Sequence, residues 1–372
     1  MRSTHPFILR HPSRWLGVYL LLLGIACLWP YNFLQENRVS VRDGAIRFSN
    51  PGTAFTGSPV SLPQGGGAFS LLLRYTCRRP TENAWITHWG ESMGRYTILV
   101  GQFSNQLLVD LSTGSDRRRS RVFVQGQVRP DTAVWLGVVY DGAMLEVYCD
   151  GSRRGSAVVH AAAEVGPGTA YPLVLGSHAN GKFPWNGEMG AFALFDRALT
   201  PEELSRPEAL LREGGPLLRY DFAAAAGGIV PDGGSAATPT ALIIPARFRP
   251  ATLSPLVPPQ NYWQRGPLYR DIIANVVLFL PFGVLLAALL HGRFRPWAIV
   301  VTVLLLSCAV SAAIELLQAI LPTRWSSLTD LLTNTVGGGL GALASVLGWL
   351  RPFAGGTGFA RSAAAPPKTP VP

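Results

Sequence analysis

Hydrophobic and polar positions alternate in two distinct ways along this chain. Apolar residues run almost unbroken over Trp15–Trp29, Ile272–Leu290, Trp297–Leu321 and Leu328–Leu350. With their flanks, helices of this length reach across a hydrocarbon core of about 30 Å, so four membrane-crossing helices are expected. Between the first and second runs the period falls to two. Phe69, Leu71, Leu73 and Tyr75 recur at every other position, as do Val134, Leu136 and Val138, and then Leu145 and Val147. Such alternation puts one face of a strand into a core. Asp141-Gly142 and Asp150-Gly151 supply left-handed positions for hairpin turns. Many short strands over 45–194 with no helical period predict an antiparallel sandwich.

These changes of pattern set the expected domains. Residues 1–40 form a cytoplasmic N-terminus with the first transmembrane helix, and 41–205 the sandwich. Residues 206–268 are a connector rich in Pro, Gly and Ala, in which Leu217–Phe222 and Ala241–Ile244 have the pattern of extra strands. It ends at Val257-Pro258-Pro259, a stiff tether. Residues 269–350 hold three further transmembrane helices, and 351–372 a disordered cytoplasmic tail.

Composition agrees with a membrane protein. Charged residues make up 15% and hydrophobic ones 48%, against about a quarter charged in soluble domains. The net charge of +10 does not indicate nucleic acid, because aromatic-interleaved basic stripes are absent and many arginines flank apolar runs. The loops His291–Pro296 and Pro322–Ser327 are short, so the helices they join are antiparallel and four crossings return both termini to one side. Arg2, Arg10, Arg14, Arg293, Arg295, Arg351, Arg361 and Lys368 fall on that side, and Arg324 alone occupies the opposite short loop. The positive-inside rule then places the termini in the cytoplasm and residues 41–268 outside an inner cell membrane crossed several times. Leu28, Trp29 and Pro30 offer no small-residue cleavage site after the first run, which favours an uncleaved anchor over a signal peptide. The six histidines show no metal-ligand spacing, and neither a metal site nor a cofactor is expected. Cys77 and Cys149 either form a disulfide in an oxidising compartment or remain two buried thiols.

Several polar residues interrupt the apolar runs. Asp271 and Asn275 are four apart, Glu315 and Gln318 three apart, Asp330 and Asn334 four apart, and Arg324 lies between the last two helices. Spacings of three and four share a helix face. With the topology above, all lie toward the external surface. Ionisable groups in a membrane cost a few kcal/mol and face partners or a water-filled cavity. The economical geometry brings Glu315 and Asp330 to Arg324, with Asn275, Gln318 and Asn334 meeting the remaining donors and acceptors. Such a network either staples the helices or forms a polar pocket open to the outer face that holds a lipid head group or titrates a proton. Pro281 should kink its helix, and Gly337 and Gly341 have close-approach spacing.

Two resemblances follow from these residues. Val134–Tyr140, Asp141-Gly142, Leu145–Asp150 and Gly151, then Pro172–Gly176, Trp185–Glu188, Phe192–Phe195 and Asp196–Thr200 resemble the laminin-G or concanavalin A-like jelly roll. That resemblance implies a sandwich binding carbohydrate or protein. Glycan hydrolysis is not expected, because it needs two carboxylates facing one bond about 5–10 Å apart, and Glu82, Glu91, Glu146, Glu164 and Glu188 are scattered. The run Arg117, Arg118, Arg119 and Arg121, read as a hairpin tip, either attracts anionic envelope polymers or is a solvated loop.

Asn275–Gly283 (NVVLFLPFG), Glu315–Gln318, Arg324, Asp330 and Asn334–Gly341, together with Pro30–Phe33, resemble the VanZ family of bacterial membrane proteins, here with the sandwich inserted after the first helix. The resemblance marks Asn275, Glu315, Gln318, Arg324, Asp330 and Asn334 as the site, with Asp271 beside them, and implies low-level teicoplanin resistance. The fold class expected is thus multi-domain: a transmembrane bundle of four helices plus an all-β antiparallel jelly-roll sandwich. The expected function is a non-enzymatic envelope protein with membrane lipids as partners, and an envelope glycan or protein at the sandwich. The alternatives are a membrane-embedded acid/base enzyme using Glu315 or Asp330, and a structural anchor for a lectin-like module.

Overall fold

A computed structural model describes residues 11–61, 67–81, 83–92, 95–112, 119–159, 170–253, 268–321 and 324–348. The chain forms two compact units, one of helices and one of sheets, the second also taking Ala319–Arg324.

The sheet unit holds two antiparallel sheets of eight strands each. The first runs in the order β1 (Val39–Arg42), β2 (Ala45–Phe48), β13 (Gly187–Phe195), β4 (Phe69–Cys77), β9 (Ala133–Tyr140), β10 (Met144–Cys149) and β11 (Ser152–Val158), with β14 (Leu218–Tyr220) pairing the far half of β13. The second runs β15 (Ile229–Val230), β16 (Leu242–Ile243), β3 (Ala54–Thr56), β12 (Leu173–Leu175), β5 (Ala84–Ser92), β6 (Arg95–Phe103), β7 (Gln106–Ser112) and β8 (Arg119–Gln125). Strands after residue 205 therefore join both sheets.

Alternation decides which side chains enter the core between the sheets. Phe69, Leu71, Leu73 and Tyr75 of β4 point inward with Val134, Leu136 and Val138 of β9 and Leu145 and Val147 of β10. The opposite face of the first sheet is also covered. Leu72, Val139 and Phe195 bury there against Leu204 of α2 (Pro201–Leu204) and Leu210 of α3 (Pro207–Glu213). Thr200 starts α2 with a reciprocal capping box to Glu203. The β10–β11 turn uses Asp150 at φ +50° and Gly151 at φ +75°, the paired left-handed residues that match strand twist. In the preceding turn, the Asp141 carboxylate accepts from the Ala143 and Met144 amides at 2.8 and 2.7 Å. Cys77 and Cys149 are free, buried thiols.

The helix unit comprises α1 (Pro12–Leu28), α4 (Leu268–Leu290), α5 (Pro296–Ile320) and α6 (Leu328–Val346). Leu23, Phe279, Phe282, Ile299, Val303, Ile314 and Ala342 bring all four to one apolar core. α4 continues through Pro281. The tightest contact joins α4 and α6: a Cβ added to Gly283 would collide with the Gly338 carbonyl, and one on Gly341 with the Leu280 carbonyl.

Of the four expected crossings, length and composition mark two. Among the described residues two helices are long and apolar enough to span, Arg270–Leu290 and Pro296–Ile320. α1 has 17 residues, about 25 Å at 1.5 Å per residue, short of a core of about 30 Å. α6 is 19 residues long, but Asp330, Asn334, three threonines and four glycines dilute its apolar content.

Candidate functional site

The polar residues of α4, α5 and α6 gather where α5 ends and α6 begins. Ser327 caps α6, its Oγ accepting from the Asp330 amide at 3.4 Å. This cap lays the Ser326-Ser327 backbone over the last turns of α5. Glu315, 1% exposed, accepts there from the Ser327 N–H at 2.7 Å and from the Ser326 hydroxyl. The carboxylate thus does for the start of α6 what a helix N-terminus asks of an anion.

Asp330 lies one turn into α6. Its carboxylate accepts hydrogen bonds from the Asn275 side chain of α4 and from Ser327. The charges of Glu315 and Asp271 both act on it. Glu315 and Asp330, from adjacent ends of α5 and α6, thus form a pair of acids, the first buried and the second half-buried, with Asn275 of α4 bonded to one of them, while Asp271 at the start of α4 is exposed. One turn deeper, Asn334 Nδ2 donates to Ser311 Oγ at 3.0 Å, with both residues buried.

Not every expected partner joins this group. Gln318 turns to the end of α1, its Nε2 donating to the Cys27 carbonyl at 2.9 Å. Arg324 lies in the connector that clusters with the sheets, where the Lys182 ammonium donates to the carbonyls of Leu321 and Arg324. Burial lowers the Lys182 pKa to about 8. Ser311, Ser326 and Ser327 also belong to the site, although as small neutral residues they do not stand out in the sequence as the acids do. Ser311 stands four before Glu315, and Ser327 immediately before the Leu-Thr-Asp that opens α6, so both had a spacing signal.

Of the five scattered glutamates considered for hydrolysis, the three that are described are in ion pairs. Glu91 pairs with Arg95, Glu146 with Arg153, and Glu188 with Arg47 and Arg78. Glu82 and Glu164 lie outside the described residues. The reading of Arg121 as part of a basic hairpin tip is corrected: it stands within β8 and its guanidinium meets Asp110 of β7 at 2.8 Å. Its charge is spent on that buried carboxylate. Arg117 and Arg118 are outside the described residues. Among the described residues no group of three or more His, Cys, Asp or Glu side chains could hold a metal ion.

Two family models match separate parts of the chain. The family model described as VanZ/LLP1 matches residues 234–349. The model of the concanavalin A-like lectin/glucanases superfamily matches residues 49–205. Protein VanZ of Enterococcus faecium is 39% identical over 74 residues, covering 20% of this chain and 42% of that protein. The chain thus spans less than half the length of this curated relative. Among solved structures, the SAP-like pentraxin of Limulus polyphemus is similar with 17% identity and a TM-score of 0.35, covering 45% of this chain and 82% of that one. A putative carbohydrate binding protein of Bacteroides ovatus has 13% identity and a TM-score of 0.37, with 58% and 62% coverage. The receptor binding domain of botulinum neurotoxin D has 10% identity and a TM-score of 0.38, with 47% and 46% coverage.

Proposed function

We propose that this chain, which carries a VanZ/LLP1 domain and a concanavalin A-like domain, is a multi-pass protein of the cell envelope that binds a polar lipid or cell-wall precursor among its helices. The sandwich binds an envelope glycan or protein outside the cytoplasm. All four helices cross, α1 and α6 completing their spans with flanking residues. Arg14, Arg293 and Arg295 favour cytoplasmic termini, since Arg324 is the sole basic residue in the α5–α6 connector.

The observation that carries this reading is the convergence of Asn275, Glu315 and Asp330 from three helices. Stapling three helices needs one satisfied hydrogen bond at each contact. Two acids set together, Glu315 and Asp330, exceed that need and oppose it, which favours a site kept for a ligand. The excess of negative charge favours a head group bearing an amine. Teicoplanin resistance follows from this reading if the bound precursor is the glycopeptide's target.

The test is recovery of native lipids and glycans with the full-length protein, against Glu315→Gln and Asp330→Asn. Both variants should fold and lose a specific co-purifying lipid, with any change in teicoplanin sensitivity following the same variants. Turnover of that lipid by the wild type alone would establish the acid/base enzyme instead. Identical lipid profiles and full complementation by both variants would leave only an anchor for the sandwich.

A further inference from the structure

Below the carboxylates, α5 and α6 carry a ladder of small polar groups into the interior of the helix unit. Each step of four residues back along α5 matches a step of four forward along α6. Glu315 acts on Asp330, Ser311 bonds Asn334, and Ser307 faces Gly338, whose missing side chain leaves room for the serine hydroxyl. Eight residues at 1.5 Å each carry the ladder about 12 Å from its carboxylate end, to the middle of the 25-residue helix α5. There it stops, for Val303 and Ala342 are fully buried and apolar.

Two atoms of this ladder have no hydrogen-bond partner among the described residues: Asn334 Oδ1 and Ser307 Oγ. Asn334 is 4% exposed and Ser307 fully buried. Leaving such groups unmet is costly, so aliphatic side chains would be more stable at both positions if packing alone mattered. The unmet amide oxygen is an acceptor, and the hydroxyl has free lone pairs. Ser311 Oγ, which accepts from Asn334 Nδ2, keeps a second lone pair. Neutral oxygens of this kind, one and two helical turns below the Glu315–Asp330 rung, suit a cation. The neutrality of these ligands argues against a divalent ion, whose sites commonly draw on carboxylates as direct ligands.

We propose that the α5–α6 ladder binds one small alkali cation of sodium size, with Asn334 Oδ1 and Ser307 Oγ as ligands and the Glu315–Asp330 rung as its counter-charge. This does not depend on head-group binding at the outer rung. The ion would join α5 to α6 at mid-helix, where apolar packing is interrupted by Gly338.

The test uses full-length protein in detergent, freed of alkali salts in choline chloride. Thermal unfolding is followed on adding NaCl, LiCl or KCl at constant ionic strength, and ²²Na⁺ binding is measured by equilibrium dialysis. Sodium should raise Tm saturably where choline does not, with one ion bound per chain. Ser307→Ala should weaken binding about tenfold, the equivalent of about 1.4 kcal/mol. Asn334→Leu should abolish it and Asn334→Asp, which keeps the oxygen, should retain it. Thr335→Ala, which removes a hydroxyl bonded to its own helix, should leave it unchanged. Coincident sodium and choline curves with no bound ²²Na⁺ would overturn the proposal, as would retained binding in Asn334→Leu. The wild-type dialysis decides the matter even if a variant fails to fold.

Discussion

His88 and His178 stack within the sandwich with ring centroids 4.2 Å apart and planes inclined by 24°. Both are fully buried, His88 between Trp85 and Tyr96, and the Ala179 amide donates to His88 Nδ1 at 3.3 Å. That bond needs a lone pair on Nδ1, which protonation would remove. Burial, and then the neighbouring His178, hold the His88 pKa well below 6.5.

A pH dependence follows. A histidine with a depressed folded pKa binds fewer protons folded than unfolded, so its stabilisation is complete above the unfolded value of 6.5 and is lost as pH falls below it. The slope is about 1.4 kcal/mol per pH unit for one proton. Lys182, lowered to about 8, titrates above this window. Unfolding of the full chain followed by tryptophan fluorescence between pH 7 and 5 should show the loss. His88→Gln, which keeps an acceptor for Ala179, should flatten it, and an unchanged slope in that variant would contradict the assignment.

A second expectation concerns Glu315. The Ser327 N–H it accepts belongs to the first turn of α6 and has no acceptor within its own helix. Glu315→Gln keeps an oxygen for that amide and should cost little stability. Glu315→Leu strands the amide and should cost about 1–3 kcal/mol, with faster hydrogen exchange at Ser327. Equal stability of the two variants in detergent would show that the hydrogen bond contributes nothing.

How much of this could be read from the sequence depends on range. The inward row Phe69, Leu71, Leu73 and Tyr75 shows in alternation alone, because a strand's two faces are fixed by its own geometry. Leu72, on the other face, reads as a break in the pattern until α2 and α3 cover it. The order of strands is not local at all: β4 lies between β13 and β9, and no spacing encodes that. In the helix unit, Glu315 and Asp330 stand out because acids are costly in apolar runs. Ser311 and Ser307 do not, since a serine inside a helix is cheap and its partner lies on another helix. Gln318 shows the limit most plainly, for its acceptor is 291 residues away.

The α4–α6 contact yields a prediction whose sign is set by packing against propensity. Replacing a helical glycine by alanine gains up to about 1 kcal/mol from the backbone. At Gly341 the added methyl would collide with the Leu280 carbonyl and reach the Val284 amide, and overpacking costs about 1–3 kcal/mol. A backbone obstacle cannot rotate away, so the cost should win. Gly341→Ala should lower thermal stability in detergent, while Leu340→Ala on the exposed face should do so far less. A more stable Gly341→Ala variant would mean that the helices are not in contact there.

The remaining prediction concerns Cys77 and Cys149, whose pairing the sequence leaves open. Cys149 pairs with Leu136 of β9, and Leu136 pairs with Leu73 of β4. The two cysteines are thus two strand spacings apart, about 10 Å, and offset by the four residues from Leu73 to Cys77, about 13 Å more along the strand. Disulfides need Cα atoms within about 7 Å. Cys77 Sγ instead donates to Gln102 Oε1 at 3.2 Å. Protein from an oxidising compartment should therefore show both thiols by mass spectrometry after alkylation under denaturing, non-reducing conditions. Reductant should leave Tm unchanged. A cross-linked peptide joining residues 77 and 149 would show that this sheet register is wrong. Bringing Cys77 level with Cys149 would slide β4 by four residues against β9, an even slip that keeps Phe69, Leu71 and Leu73 facing inward but replaces every pairing between these two strands.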